Sequence, residues 1–155
     1  MNVQQDQTGS GDEASEQIVA AMVATPLRRT CSPFTTATEA VLILKDENRG
    51  MIPVVDEGKP LGMVTDRDVA LAVVDVPKLA EQPVSRIMNR DFITVSSEAT
   101  VEEVVKSMVT SNAPSIFMVD ETGRLGGLIS WPDLTARIPL QAMIEVLEPA
   151  RAEDE

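Results

Sequence analysis

The chain has 155 residues, 43% of them apolar, and a formal net charge of −12. It is long enough to bury a core, holds no apolar run near the roughly 20 residues a bilayer crossing needs, and is too acidic to suit nucleic acid or an anionic membrane. With no histidine and no tyrosine, it lacks the parts for Ser-His-Asp or Cys-His catalysis and for a histidine-ligated zinc site, so no enzyme is expected.

Residues 1–15 are polar and acidic and read as a disordered tail. Residues 1–17 and residues 145–155 each carry −4, so the ends hold most of the charge. Solvated tails explain this, with docking of a basic partner as the rival reading. A helix is expected over 15–24, capped by Ser15, with Ile18, Val19, Met22 and Val23 on one side. Thr25-Pro26 ends it. Residues 28–32 read as a short extended piece, stopped by Pro33. Its lone Cys31 reads as a small apolar packing residue. A helix over 36–46 places Ala37, Ala40, Val41 and Leu44 on one face. Strands over 52–56 and 61–65 pair around Glu57-Gly58. A helix runs from Asp66 to Val74, and 76–82 is a linker edged by Pro77 and Pro83.

The second half takes the same order. A short helix is expected over 84–88 and a strand over 92–95. The helix over 100–111 opens on Thr100-Val101-Glu102-Glu103, which fits a capping box. Strands over 115–119 and 125–130 flank Thr122-Gly123. A helix over 131–136 tolerates Pro132 in its first turn, and a terminal helix covers 140–147.

The order repeats because the sequence does. Gly62-Met63-Val64-Thr65-Asp66-Arg67-Asp68 returns 65 residues later as Gly127-Leu128-Ile129-Ser130-Trp131-Pro132-Asp133. Upstream, a shift of 64 pairs Thr30 with Thr94, Asn48 with Asn112 and Ile52 with Ile116, and Thr122 is the extra residue that changes the offset. Each unit is β-α-β-β-α, and two such units share a core better than one can build alone. A hydroxyl and a carboxylate at this spacing suit a nucleotide, since the hydroxyl donates to phosphate and the carboxylate accepts from ribose.

These marks, with Ile52-Pro53-Val54-Val55-Asp56 and the upstream Thr30-Cys31-Ser32-Pro33 and Thr94-Val95-Ser96-Ser97, resemble a tandem pair of cystathionine-β-synthase (CBS) domains, a Bateman module. The resemblance covers about residues 16–140. It implies a mixed α/β (α+β) fold of two repeats packed with pseudo-two-fold symmetry. The division expected is a tail over 1–15, repeat 1 with its leading helix over 16–76, repeat 2 over 77–138, and a helix and acidic tail over 139–155.

The resemblance also implies two clefts for adenosine-containing ligands. Asp68 and Asp133 would hold ribose hydroxyls, and Thr65 and Ser130 would contact phosphate or sugar. Thr30 and Thr94, with the backbone around Met51-Ile52-Pro53 and Ser115-Ile116-Phe117, would line the base pocket. The rival reading is that the motif residues only cap their helices. The two copies differ. Asp66-Arg67 gives the first a charge-assisted phosphate partner, to which Arg28 and Arg29 could add, while Trp131-Pro132 gives the second bulk. The first site is therefore expected to prefer phosphate. Leu42 and Ile43, with Val69, Ala70, Leu71, Val73 and Val74, suggest a homodimer through first-repeat helices, with cover from a terminal helix as the alternative.

The expectation is a stand-alone, cytoplasmic regulatory module. It needs no cofactor, senses AMP, ADP or ATP, and signals to a protein partner in trans. S-adenosylmethionine, NAD or a cyclic dinucleotide are alternative ligands, and a ligand-independent scaffold is the rival class.

Overall fold

The computed structural model describes residues 18–142 together with 144, 145 and 148. The expected tail over 1–15 and the Ser15 cap lie outside the described residues. The elements are α1 (Ala20–Val23), α2 (Ala37–Glu47), β1 (Met51–Asp56), β2 (Lys59–Thr65) and α3 (Asp66–Asp75), then β3 (Thr94–Ser96), α4 (Val101–Thr110), β4 (Ser115–Val119), β5 (Leu125–Ser130) and α5 (Trp131–Arg137). Single tight turns at Leu79–Glu81 and Val84–Arg86 fill the link between the halves. The fold is mixed α+β, with two repeats and two small sheets.

The local chemistry explains why the elements start and stop where they do. Four helices, α2 to α5, all open on a capping box: Thr36 with Glu39, Thr65 with Asp68, Thr100 with Glu103, and Ser130 with Asp133. Each box satisfies two backbone amides that the helix itself cannot. The paired Asn48 and Asn112 sit past the ends of α2 and α4 with φ near +50° (50° and 49°), a left-handed conformation that asparagine tolerates. Glu57 (φ 50°) and Gly58 (φ 83°) close the β1–β2 hairpin, whose twist calls for positive φ at both positions. Both hairpins shift register at the same place in the repeat, between Val54 and Val55 and between Met118 and Val119.

Several expectations are corrected. In α1 it is Ala20 and Val23 that are buried, while Met22 points outward at 58% exposure. The helix is a single turn, so it presents a narrower face than a longer periodic helix would. The extended piece over 28–32 pairs only at Cys31, in parallel with Val54. Its strand reaches no further because Pro33 follows. The helix expected over 84–88 is only the turn at Val84–Arg86. Ile43 belongs to the core, whereas Leu42 stays exposed. Residues 140–142, 144, 145 and 148 are helical, and the rest of the expected terminal helix lies outside the described residues.

The leading segments are exchanged between the repeats. Helix α1 packs on the second repeat: Ala20 N–H donates to Ala99 O at 2.8 Å, and Thr25 pairs with Leu128. Ala20, Val23 and Ala24 share a core with Val104, Val105, Met108, Ile116, Ile129 and Leu134. Reciprocally, the link packs on the first repeat, where Val84 joins Cys31, Ala40, Leu44, Ile52, Val54 and Val64. Asn89 and Met63 exchange backbone bonds of 2.9 and 2.8 Å. This reciprocity is what a two-fold relation between the repeats demands.

Candidate functional site

Each Gly-x-x-(Thr/Ser)-x-x-Asp motif runs off the last strand of its repeat into the following helix. The glycine is there for close approach. A Cβ on Gly62 would lie 2.6 Å from Asn89 O, and one on Gly127 would lie 3.1 Å from both Thr25 O and Ala24 Cβ. The motif strand thus lies against the exchanged segment.

The hydroxyl and carboxylate then close the cap. Asp68 N–H donates to Thr65 Oγ1 at 3.0 Å, and Thr65 N–H donates to Asp68 Oδ2 at 2.9 Å. Asp68 Oδ1 has no partner among the described residues. In the second motif Asp133 Oδ2 accepts from Ser130 N–H at 2.9 Å and from Ser130 Oγ at 2.7 Å. Asp133 Oδ1 accepts from Thr25 Oγ1 at 2.5 Å. The capping reading is therefore realised at both motifs, and it leaves one carboxylate oxygen without a hydrogen bond at Asp68 and neither without one at Asp133.

Burial alone would raise the pKa of Asp133. Hydrogen bonds from Thr25 and Ser130, with the charge of Arg49, outweigh that and hold it below the ordinary 3.8. Because the folded pKa is depressed, the carboxylate's contribution to stability is fully present above the unfolded value. It is lost as pH falls through the folded one. Wild type should therefore lose its stability advantage over Asp133→Asn as the pH drops below about 3.8, read by urea unfolding across pH. An advantage that does not change with pH would rule out this linkage.

The structure distributes the expected site residues over several clefts. Met51 pairs with Thr65 and Ser115 pairs with Ser130, so each base-lining stretch begins beside its own repeat's motif hydroxyl. Met51, Ile52 and Pro53 line a narrow cleft with Arg28, Arg29 and Arg49, with space of about 10 Å³, room for about one water. Thr30 faces a cleft of about 240 Å³ between the repeats, walled by Leu27, Val55, Leu125 and Gly127. Thr94 lines a separate open cleft against α4, and Asp66 lines another beside Arg49 and Gly50. Ile116 and Phe117 are each 1% exposed, so their side chains belong to the interior. Trp131 is half-buried against the second core.

Arg28 and Arg29, expected beside Arg67, are gathered with Arg49 instead. Arg67 lines neither that cleft nor the one between the repeats. Arg29 pairs with Asp46 at 3.5 Å, but both side chains are at least half exposed, so the pair is weak. Sequence reasoning missed Thr25 and Arg49. Thr25 stands 64 positions before Asn89, the same spacing that aligns the repeats, and Arg49 stands where the second copy has Ala113. The contrast between copies carried both signals. Among the described residues no cluster of acidic or cysteine side chains could hold a metal ion, and no helix is long and apolar enough to cross a membrane.

The profile of the CBS domain matches residues 19–75 and again 84–139. The chain belongs to the CBS domain family. Its CBS pair is 34% identical over 119 residues to the uncharacterized protein MK0525 of Methanopyrus kandleri, covering 75% of this chain and 61% of that protein's length. The CBS domain pair of protein MJ0100, solved in complex with 5′-methylthioadenosine and S-adenosyl-L-methionine, superposes with a TM-score of 0.65 at 26% identity, over 76% of this chain and 93% of that one. CBSX2, solved in complex with AMP, superposes with a TM-score of 0.67 over 83% of this chain and 98% of that one; at 18% identity this likeness bears on the CBS fold alone.

Proposed function

We propose that this CBS pair is a regulatory module that senses an adenine nucleotide and passes its occupancy to a protein partner in trans. One observation carries the reading. In a chain of net charge −12, Arg28, Arg29 and Arg49 line one cleft, and the charge of Arg49 acts on the ionised Asp133. Three arginines that line one cleft with Glu47, one of them acting on the Asp133 carboxylate, suit a ligand that carries both phosphate and a vicinal diol. The ribose would sit on Asp133 with Ser130, and phosphate on the arginines. The base would lie along the β1 backbone at Met51, Ile52 and Pro53, towards Thr30. On this reading the phosphate preference lies with the Asp133 motif, the reverse of the order expected from Arg67. Asp68, with Thr65 and the Thr94 side of the pair, would form the second, weaker site. The bound adenosyl compounds of the MJ0100 pair support an adenosine-type ligand.

A thermal-shift series with AMP, ADP, ATP, S-adenosylmethionine, NAD and cyclic dinucleotides tests the reading, because a ligand of the native state must raise stability. A rise with AMP, ADP or ATP that exceeds the rise with S-adenosylmethionine is expected. No rise with any of them favours the rival, a ligand-independent interaction module.

The apolar faces of α2 and α3 support self-association. Leu42, Leu71, Val73 and Val74 are 52, 56, 67 and 84% exposed, and a groove of about 340 Å³ runs between the two helices. The proposal is a homodimer through these first-repeat helices. Light scattering should give twice the chain mass, and Val73→Asp should return the monomer. A wild-type monomer would remove the homodimer.

A further inference from the structure

Asp133 already accepts three hydrogen bonds, two from Ser130 and one from Thr25, which leaves about one of the two acceptor positions that a vicinal diol needs. Asp133 Oδ1 takes the Thr25 hydroxyl at 2.5 Å, across a separation of 108 residues. Thr25 follows directly on from α1, and its backbone holds Leu128 through bonds of 2.8 and 3.0 Å. At the other end of α5, Arg137 Nη1 donates to Met22 O at 2.8 Å. One side chain at each end of α5 therefore fastens the α1 segment to the second repeat. The first motif has no counterpart. Asn89, in the place of Thr25, turns its side-chain oxygen to Asp91 N–H at 2.8 Å, and Asp68 Oδ1 takes no partner among the described residues.

We propose that Thr25 is an internal competitor for Asp133: a ligand hydroxyl that takes Oδ1 displaces the Thr25 hydroxyl and loosens α1 and the following segment from the second repeat. The trigger rests on the nucleotide reading above. The competing bond is charge-assisted, so only a donor of similar strength replaces it, and a vicinal diol offers two. The loosened segment carries Arg28 and Arg29 and borders the narrow cleft at β1, so the same displacement opens that cleft to the ligand. The far end stays anchored, because Cys31 N–H donates to Pro53 O and Val55 N–H donates to Cys31 O, both at 2.8 Å. Occupancy is then reported by release of a segment. By linkage, anything that weakens the anchoring of α1 must tighten the ligand by the same factor.

The test is AMP titration and amide hydrogen exchange over residues 20–31 on the full chain, in wild type, Thr25→Val, Thr25→Ser and Arg137→Ala. Thr25→Val keeps the β-branched shape and the backbone pairing while removing the donor. AMP is expected to speed exchange over 20–31 in wild type and in Thr25→Ser, and to leave the already fast exchange of Thr25→Val unchanged. Affinity for AMP should rise about tenfold in Thr25→Val, as expected when a charge-assisted bond no longer has to be displaced. It should rise about threefold in Arg137→Ala, where a weaker exposed bond is lost far from the carboxylate. Tighter binding in Arg137→Ala is the decisive sign, since that residue cannot compete for the site. AMP binding with unchanged or slower exchange over 20–31, or weaker binding in Thr25→Val, overturns the competitor and leaves the nucleotide reading standing. Failure of AMP to bind wild type and every variant overturns both.

Discussion

Asp133→Ala should lower AMP affinity by about two orders of magnitude, while Asp68→Ala should lower it less than tenfold. A carboxylate that accepts two ribose hydroxyls makes two charge-assisted bonds of about 1.5–3 kcal/mol each, and part of that is offset by the Thr25 bond it must give up. Beside the first motif, the cleft that Asp66 lines holds Arg49 without Arg28 or Arg29. Both substitutions also remove the N3 half of a capping box, worth about 0.3–1.5 kcal/mol, so thermal stability should fall at either position. Asp133→Ala should lose more stability because it also gives up the Thr25 bond, and the two variants should differ strongly in affinity, read by titration calorimetry at fixed salt. Equal losses of affinity at the two positions would sink the assignment of the phosphate-preferring cleft to Asp133.

Gly62→Ala should destabilise the fold by about 3 kcal/mol and Gly127→Ala by about 1 kcal/mol, the range for forcing a methyl into a filled space. The added Cβ at Gly62 meets a backbone carbonyl at 2.6 Å, and that carbonyl is held in place because Asn89 and Met63 exchange two hydrogen bonds. At Gly127 the nearest atoms stand at 3.1 Å, and a shift of a few tenths of an ångström relieves them. Urea unfolding measures the difference. Indifference to Gly62→Ala would mean that the link does not lie against β2 in solution.

Much of this architecture is legible in the sequence because its signals are local. The Thr100 to Glu103 box and the Glu57-Gly58 turn each span a few residues, and the structure places both as expected. The internal repeat extended that reading to the second copy. What the sequence hides is non-local. Nothing near α1 says that Ala20 packs under Val104 rather than under its own repeat, and Met22, apolar on paper, is left outside because a single turn has only one inward face. The same distance hid the site chemistry. The motif carboxylates were visible, but the Thr25 donor lies 108 residues from Asp133. Arg28 and Arg29 point to the first site only through their place just before Thr30, while the path of the chain carries them to the cleft that Arg49 shares.

The exchange of leading segments changes what counts as a unit in this protein. Each sheet is covered by a stretch of chain that belongs, in order, to the other half: Val84 closes the first core and Ala20 the second. A chain cut within the link yields two pieces, each with an uncovered core and a spare cover. The smallest closed object that one piece can make is a pair of copies, each lending its cover to the other. The two-repeat chain is such a pair with its ends joined, so a duplication that produced it would have fused an existing homodimer rather than added a second domain to a finished one.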